Sequence, residues 1–301
     1  PFPSSVSHNP LMPPELPVAD ASMSKEDARI VIANILFYRK VRQKGRHINH
    51  AADDKIGRGR RTHMAKLAVR SRQEEQMDAP DLDPAIYERV LHDLARVNRW
   101  TFTAWPSIAF LNRAIGSAKH FRLLDVGFGD GDILRAIARW ARKRGIEAEL
   151  IGVDLNEKSL QAARRATPPH LIIDYRAGDY LDQPEAFDFI ISSQVTHHMT
   201  DAQLMTFLRH MEAHARRGWL ICDLHRHGFA HWGFPILARL MRVHRIVRED
   251  GQLSIARAFR SAEWRDLLAE AGISQEQVRI VRRFAFRLCV ERARERPLNL
   301  S

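Results

Sequence analysis

LLDVGFGDGD, residues 123–132, contains the strongest structural signal in this 301-residue chain. Apolar residues from Phe121 to Val126 predict a buried strand, and the three glycines that follow at alternate positions predict a tight turn. After the turn, apolar residues recur at three- and four-residue spacing from Ile133 onward, which predicts a helix. A strand, a glycine turn and a helix in this order are typical of the start of a nucleotide-binding βαβ unit.

The acidic residues of this loop indicate which ligand it binds. Dinucleotide-binding loops have the spacing GxGxxG, but Asp132 stands here at the third glycine position. Asp125, Asp130 and Asp132 would repel a pyrophosphate, at a cost on the order of 4 kcal/mol for a contact of about 4 Å at an effective dielectric near 20. An adenosyl ligand with a sulfonium and an ammonium is attracted instead. The loop therefore argues against a nicotinamide-dependent reductase.

The chain resembles the class I S-adenosylmethionine-dependent methyltransferases, whose first motif has the form DxGxGxG. Four residues match this motif position by position: Asp125, Gly127, Gly129 and Gly131. The resemblance covers roughly residues 120–292. It implies that S-adenosyl-L-methionine is the cofactor and that the loop residues, Phe128 included, contact it.

The rest of the chain predicts an α/β fold with a Rossmann-like, seven-stranded, mostly parallel sheet and helices on both faces. Strands are predicted at 121–126, 148–153, 171–176, 187–192, 218–223, 277–282 and 285–291. Helices are predicted at 132–144, 157–166, 202–214 and 262–271. The last two strands are joined by a very short link and must be antiparallel. An antiparallel last strand is also a hallmark of the family that the chain resembles.

Three regions are expected along the chain. Residues 1–77 are predicted to form a disordered or poorly packed basic N-terminal extension, rich in proline at its start. Residues 78–118 are predicted to form a helical cap over the cofactor site, with helices that begin at Pro84 and near residue 104. Residues 119–301 are expected to form the methyltransferase domain, with a lid inserted after strand five at about 224–260. The chain opens on Pro1, so a native start at Met64 is a further hypothesis.

The positive charge of the chain is concentrated in one segment. The net charge is +11, of which residues 39–72 carry +10, whereas residues 1–38 carry −2 and residues 73–301 carry +3. Two interpretations stay open for the basic segment: a solvated tail, or an arm that binds RNA or an acidic partner. The folded part is close to neutral, so the overall charge does not by itself predict a nucleic-acid substrate.

A carboxylate lies at the end of the second predicted strand. Asp154 follows the glycine loop by about the interval at which an acidic residue accepts hydrogen bonds from ribose hydroxyls. The alternative role is an N-cap of the following helix. With Asp154 on the ribose, Leu155 is expected to flank the adenine.

Two further pairs of residues are assigned to the cofactor by resemblance. Asp179 is expected to contact the adenine amino group and Tyr180 to pack beside the base, although turn formation alone explains the Gly178-Asp179 pair. Ser193 and Gln194, at the end of strand four, are expected to contact the methionine end of the cofactor.

Histidines supply the candidate catalytic bases. His197 and His198 follow strand four and His225 follows strand five, and imidazole titrates near neutral pH, as removal of a hydroxyl proton requires. An equally good explanation is that His197 and His198 pack at the start of a helix. No metal site is predicted, because His225, His227 and His231 are not accompanied by a pattern of cysteines or carboxylates.

The predicted lid indicates the acceptor. Residues 228–241 are apolar and aromatic, which favours a small, hydrophobic or aromatic acceptor. Residues 192–195, Ser-Ser-Gln-Val, lack the Asn/Asp-Pro-Pro-aromatic motif of enzymes that methylate amines in nucleic acids. The leading hypothesis is methyl transfer to oxygen of a small molecule rather than a nucleic acid. The alternatives are an RNA-modifying methyltransferase that uses the basic segment and a non-catalytic partner subunit with a methyltransferase fold.

The remaining composition favours a cytoplasmic protein. The two cysteines, Cys222 and Cys289, lie in apolar strand-like runs and are expected to be buried reduced thiols. No apolar run approaches the ~20 residues that a membrane span needs. The sequence makes no prediction of the oligomeric state.

Overall fold

The computed structural model describes residues 67–183 and 185–295, which form one seven-stranded sheet flanked by helices. The strands are β1 (His120–Val126), β2 (Glu147–Asp154), β3 (Asp174–Ala177), β4 (Phe187–Ser193), β5 (Ala215–Leu224), β6 (Arg279–Arg283) and β7 (Arg287–Ala293). The helices are α1 (Pro84–Trp100), α2 (Trp105–Ala114), α3 (Asp132–Lys143), α4 (Glu157–Ala166), α5 (Asp201–His214), α6 (Gly228–Leu240), α7 (Arg245–Arg257) and α8 (Ser261–Glu270).

The strand order is β3-β2-β1-β4-β5-β7-β6. β1 to β5 pair in parallel, and β7 lies antiparallel between β5 and β6. The predicted Rossmann-like sheet with an antiparallel last strand is therefore confirmed. β3 starts later than predicted, because Leu171 closes a turn onto the carbonyl of Pro168 (2.9 Å) before the chain becomes extended. The order reverses between β1 and β4, which opens a crevice at the carboxyl edge of the sheet.

Two apolar layers cover the sheet. On one face, α5 and α8 pack with Trp219 and Trp264, and on the other face α2 and α3 pack with Phe121 and Phe189. The ring of Phe110 in α2 meets that of Phe189 edge to face, with centroids 5.9 Å apart. α2 is thus a helix of the sheet layer and not part of a cap, which corrects the prediction for 78–118.

Only α1 from the predicted cap covers the carboxyl edge. Its N-terminus is capped as predicted, with the Asp83 carboxylate accepting from the backbone of Ala85 at 2.8 Å and Pro84 at the first helical position. Val90 and Val97 pack against the α6–α7 hairpin, which occupies most of the predicted insertion. α1, α6 and α7 together form a second layer above the crevice.

The predicted extension ends earlier than residue 77, because residues 67–78 are packed against the domain. We call this segment the strap. Leu67 is buried, and Ser71 donates to the carbonyl of Ala256 at 3.0 Å. The Arg70 guanidinium donates to the carbonyls of Arg257 (2.6 Å) and Met199 (2.9 Å). Polar contacts, and not an apolar stripe, hold the strap, so its packing has no periodic signal in the sequence. Residues 1–66, with most of the basic segment and Met64, lie outside the described residues.

Two properties of the described residues complete the fold. Cys222 and Cys289 face each other across β5 and β7 as free, buried thiols, as predicted. Across residues 67–183 and 185–295, every helix is too short or too polar to span a lipid bilayer.

Candidate functional site

A cavity of about 400 Å³ lies between the carboxyl edge of the sheet and the layer formed by α1, α6 and α7. Eight predicted site residues line this cavity: Asp125, Gly127, Phe128, Gly129, Ser193, Gln194, His197 and His198. The remaining predicted site residues are not among its lining residues: Gly131, Asp154, Leu155, Asp179, Tyr180 and His225. The structure therefore brings together the glycine loop, the end of β4 and two of the three candidate bases.

The three glycines of the loop are required for different reasons. All three have positive φ, at 79° for Gly127, 55° for Gly129 and 77° for Gly131. A Cβ at Gly127 would overlap the side chain of Val195, and one at Gly131 would overlap the ring of Tyr175. A Cβ at Gly129 would meet no protein atom within 4 Å. Close approach of a ligand thus concerns Gly129, whereas the other two glycines make room for the protein's own side chains.

Asp125, a lining residue of the cavity, has a buried carboxylate oxygen without a hydrogen-bond partner among the described residues. Its side chain is 1% exposed, and Oδ1 has no hydrogen-bond partner among the described residues. Burial, together with the neighbouring carboxylates of Asp132 and Asp154, raises the pKa of Asp125 well above its usual value. A ligand cation at this position would satisfy the oxygen and relieve the repulsion. Asp130 differs, because its carboxylate pairs with Arg135.

Asp154 fixes the glycine loop. Its Oδ2 accepts from the backbone of Gly129 and its Oδ1 from the backbone of Asn156, each at 2.9 Å. Asn156, and not Asp154, caps α4, by accepting from the backbone of Lys158 at 3.0 Å. The N-cap alternative for Asp154 is therefore wrong. Burial raises the pKa of Asp154 against the effect of these two backbone donors.

The adenine side of the predicted site lies outside the cavity wall. The side chain of Leu155 is 77% exposed. Asp179 accepts from the backbone of Leu181 at 3.0 Å, which is the turn role that the sequence left open. The ring of Tyr180 packs on Phe207 and His210, with centroid distances of 5.0 and 4.9 Å. The cofactor contacts of Leu155, Asp179 and Tyr180 stay predictions.

Ser193 and Gln194 mark the end of β4 in the cavity. The Ser193 hydroxyl is buried and has no hydrogen-bond partner among the described residues. Gln194 has a positive φ of 59°, and its amide donates to Asn98 of α1 at 2.9 Å. A strained backbone with a tethered side chain holds this loop against α1.

The two adjacent histidines are held by three carboxylates. His197 bonds through Nδ1 to Asp223 at 2.7 Å, and its Nε2 lies 3.5 Å from Glu75 Oε1. His198 bonds through Nδ1 to Asp78 at 2.8 Å, and its Nε2 lies 3.8 Å from Glu75 Oε2. We call these five residues the histidine cluster. Glu75, His197 and His198 line the cavity.

The charges of the cluster determine its protonation. Burial lowers the pKa of His197, but the charge and hydrogen bond of Asp223, together with Glu75, outweigh it and raise the pKa to about 10. Burial raises the pKa of Asp223, but His197 outweighs it and brings the value down to about 2. Without a bound cation, His197 therefore holds its proton at neutral pH and is not a free general base.

His225 lies apart from this cluster. Its backbone N–H donates to the carbonyl of Phe286 at 2.9 Å, and its ring faces that of His227 with centroids 5.7 Å apart. Burial, then the charges of His227 and nearby arginines, lower the pKa of His225 to about 4. The structure thus gives His225 no place beside the other candidate bases.

Glu75 and Asp78 are site residues that the sequence analysis missed. Both belong to the strap, which the charge pattern assigned to the extension and cap. The signal available in the sequence was indirect: two adjacent histidines at a strand end need carboxylate partners if they are buried, and the strap contains several acidic residues. Their distance along the chain from His197 hid the pairing.

Apolar residues of the insertion line the opposite wall of the cavity. From α6 and α7 come Phe229, Phe234, Ile236, Leu237, Val247 and Ile255, and from the link between β6 and β7 come Phe284 and Phe286. Residues of the predicted lid and of the glycine loop therefore line the same cavity. The cavity has an acidic end and an apolar wall, with the histidine cluster beside both.

Comparison with known proteins supports the assignment of the domain. Residues 123–218 match the family model described as a methyltransferase domain. The ubiquinone biosynthesis O-methyltransferase of Mesorhizobium japonicum is 33% identical over 96 residues, which are 31% of this chain and 36% of the relative. The enzyme of the same name from Paramagnetospirillum magneticum is 33% identical over 99 residues, which are 32% and 36%. Residues 123–218 are therefore similar to a methyltransferase domain, in agreement with the resemblance found from the glycine loop.

This chain spans about a third of the length of the curated relatives it matches. Among solved structures, magnesium protoporphyrin IX methyltransferase from Synechocystis PCC 6803 with bound SAM superposes with a TM-score of 0.45 at 15% identity, over 73% of this chain and 88% of that one. A SAM-dependent methyltransferase from Aquifex aeolicus gives a TM-score of 0.47 at 16% identity, over 70% and 98%.

Proposed function

We propose that this chain is an enzyme that transfers a methyl group from S-adenosyl-L-methionine to an oxygen atom of a small, hydrophobic or aromatic acceptor. One observation carries the proposal: a single cavity joins an unpaired, buried carboxylate oxygen on the glycine loop to an apolar lid and a histidine cluster. The names of the curated relatives, which are O-methyltransferases, support oxygen as the atom methylated.

The cofactor residues follow from the unsatisfied groups of the cavity. Asp125 would accept from the ammonium of the cofactor, and the Ser193 hydroxyl, also without a partner, lies at the same strand edge. Asp154 would hold the ribose while it keeps the loop in place. When bound, the cofactor supplies an electrophilic methyl group on a sulfonium whose departure leaves a neutral thioether.

The lid and loop position the acceptor and exclude water. Phe229 and Phe234 line the cavity together with Gly129, where an added Cβ would meet no protein atom. We expect an acceptor to pack against the two aromatic rings with its reacting oxygen toward the loop. Orientation of this kind supplies about 7–11 kcal/mol of a barrier.

Two free, buried thiols, Cys222 and Cys289, support a reducing compartment, and we assign the enzyme to the cytoplasm.

Glu75, His197 and His198 form the part of the cavity wall that handles the proton of the acceptor hydroxyl. His197 carries a positive charge in the absence of a cation and would stabilise the anionic oxygen. His198, with Nδ1 occupied by Asp78, has Nε2 available and is the better candidate for the base. General-base catalysis of this kind is worth about 10²–10⁴ in rate.

Calorimetry with S-adenosylmethionine and S-adenosylhomocysteine tests the cofactor assignment. We expect micromolar binding to the full chain and a loss of roughly ten- to hundredfold in affinity in Asp125→Asn, because a charge-assisted hydrogen bond disappears. Asp174→Asn is the matched control, since that carboxylate pairs with Arg176 at 2.8 Å and Asp174 is not a lining residue of the cavity.

An assay with methyl-labelled cofactor and a panel of phenolic and other hydroxylated compounds tests the reaction. Incorporation of label into an ether or ester supports the proposal. Binding of NADH with exclusion of S-adenosylmethionine would contradict it. Tight cofactor binding without transfer to any component of a metabolite extract would favour the non-catalytic alternative.

A further inference from the structure

Three side chains of the histidine cluster present their ligand atoms to one point. One possible ligand atom from each of Glu75, His197 and His198 lies within 4.8 Å of the other two. Each ring nitrogen that faces the point is Nε2, and each faces a different oxygen of the same carboxylate, at 3.5 Å for His197 and 3.8 Å for His198. Ligands around a Zn²⁺ ion at ordinary bond lengths are about 3–3.4 Å apart, so the site has to contract by up to about 1.5 Å to close around the ion.

The other nitrogen of each ring is already fixed by a carboxylate. Asp223 accepts from His197 Nδ1 at 2.7 Å, and Asp78 lies 2.8 Å from His198 Nδ1. Metal-ligating histidines almost always donate their second ring N–H in this way, which sets the tautomer and directs the lone pair of Nε2 at the ion. Both histidines of the cluster have this arrangement, and both are directed at Glu75.

The supporting structure keeps the three residues in place. The Ser254 hydroxyl donates to Glu75 Oε1 at 2.8 Å. The carbonyl of His197 accepts from Arg70 at 3.0 Å and from Arg257 at 3.1 Å. These contacts join the strap, the loop after β4 and α7 into one scaffold. A site assembled from three separate elements and held by buried hydrogen bonds is preorganised for a ligand.

The histidine cluster and Arg257 together carry a net charge of −2 when both imidazoles are neutral. With both imidazoles neutral, Glu75, Asp78 and Asp223 contribute three negative charges. Arg257, whose Nη1 is 3.9 Å from Glu75, supplies one positive charge. Two negative charges remain, and because Glu75 and Asp223 are buried, it is costly to leave these charges uncompensated. A divalent cation balances them.

We propose that Glu75, His197 and His198 bind one divalent transition-metal ion, with Zn²⁺ the best match to two imidazoles and one carboxylate, and that its open coordination position faces the cavity. This departs from the absence of a metal site expected from the sequence, which considered only His225, His227 and His231.

The role of the ion rests on the proposed function. An acceptor hydroxyl that coordinates there loses its proton to water, because a bound cation lowers the pKa of the coordinated oxygen. The O–C bond then forms as the S–C bond of the cofactor breaks. No electron is gained or lost, so the step needs no redox partner. His198 would in this case act as a ligand and not as the base.

Metal titration of the full chain tests the site. After removal of metal with a chelator, we expect one Zn²⁺ per chain by calorimetry, and visible absorption bands of tetrahedral or five-coordinate character when Co²⁺ is added. Glu75→Gln and His198→Gln should each weaken Zn²⁺ binding at least about a hundredfold, and Asp78→Asn about 10- to 100-fold. His170→Gln, at an exposed histidine, is the control and should bind like the wild type.

Thermal melts of each variant show whether it has folded. A wild type that binds no stoichiometric Zn²⁺ or Co²⁺, or a folded Glu75→Gln or Asp78→Asn variant that binds as tightly as the wild type, would overturn the metal site. The methyl-transfer assay with and without chelator separates this proposal from the preceding one. Full activity in the chelated enzyme removes the metal from the mechanism and leaves the methyltransferase proposal intact. Stoichiometric Zn²⁺ binding in a chain that does not bind S-adenosylmethionine would support the metal site and contradict the methyltransferase proposal.

Discussion

At the scale of single residues, the glycines of the loop show how one motif combines two constraints. Gly129 and Gly131 both have positive φ, so alanine at either position costs about 1–2 kcal/mol in backbone strain. Of these two positions, Gly131 is the one where a Cβ also overlaps a protein side chain, the ring of Tyr175. The motif DxGxGxG predicts both glycines from the sequence. It does not show that Gly131 makes room for a side chain of the protein, whereas Gly129 leaves space for a ligand.

Alanine substitution at these two positions should separate stability from binding. Gly131→Ala is expected to lower the free energy of unfolding by about 2–4 kcal/mol, because overpacking adds to the strain. Gly129→Ala should cost only the strain but weaken binding of S-adenosylhomocysteine, since its Cβ projects into the cavity. Urea denaturation and calorimetry measure the two effects. Equal destabilisation by the two substitutions would contradict this assignment.

His225 should affect acid stability and not catalysis. Its pKa in the folded state is about 4, below the value near 6.5 of an unfolded chain, so between pH 6.5 and 4 the unfolded state binds the extra proton. Stability is therefore lost as the pH falls through this window. The charged groups around the ring are His227, Arg282, Arg260 and Arg226.

In the variant His225→Gln this loss should shrink by about 3 kcal/mol, with activity at neutral pH unchanged. Urea denaturation of both proteins at several pH values between 4 and 7, beside the methyl-transfer assay, measures this. A strong loss of kcat in the variant would return His225 to the list of catalytic bases.

At the scale of elements, the strap is the part that the sequence did not predict. Helices and strands with an apolar periodicity were placed to within a few residues, because burial of one face leaves a repeating pattern. The strap has no such pattern, since Arg70 donates to backbone carbonyls and the carboxylates of Glu75 and Asp78 contact histidines far along the chain. The same cause hid Glu75 and Asp78, whereas His197 and His198 were found from their position after a strand.

Arg70 should contribute far more to stability than its neighbour Arg72. The guanidinium of Arg70 lies 4.0 Å from the ring of Phe259 and donates to three backbone carbonyls. Arg70→Ala removes a donor from each of these carbonyls, of which the carbonyl of His197 keeps a second donor in Arg257, and we expect a loss of about 2–4 kcal/mol. Arg72, whose side chain is 73% exposed, pairs only with Asp201 in the described structure, and Arg72→Ala should cost less than about 1 kcal/mol. Denaturant unfolding compares the two, and similar losses would show that the strap is loosely held.

At the scale of the whole molecule, the sequence correctly predicted a sheet with an antiparallel last strand and an insertion after strand five. It did not predict which of the two helices before β1 packs on the sheet and which lies over the cavity. α2 was assigned to the cap because it precedes β1 next to α1, yet the aromatic residue Phe110 packs it on the sheet. Order along the chain does not determine which layer a helix joins when both layers are apolar. The acidic loop and the strand ends were predictable, because the topology of parallel strands alone brings them to one edge.

The basic segment allows a test between the small-molecule and RNA hypotheses. Residues 1–66 carry +6 of the net charge of +11, while the strap, the cavity and the histidine cluster all lie from residue 67 onward. A chain that begins at Leu67 keeps every contact described for the site, so we expect unchanged kcat/KM for a small acceptor. An enzyme that acts on RNA would instead lose activity together with the salt-dependent part of its RNA affinity, because counterion release at phosphates supplies that affinity. Steady-state kinetics and RNA titrations at several salt concentrations, on the full and shortened chains, distinguish the two. Shortening the chain further, to begin at residue 79, removes Arg70, Glu75 and Asp78, and activity should then be lost in either case.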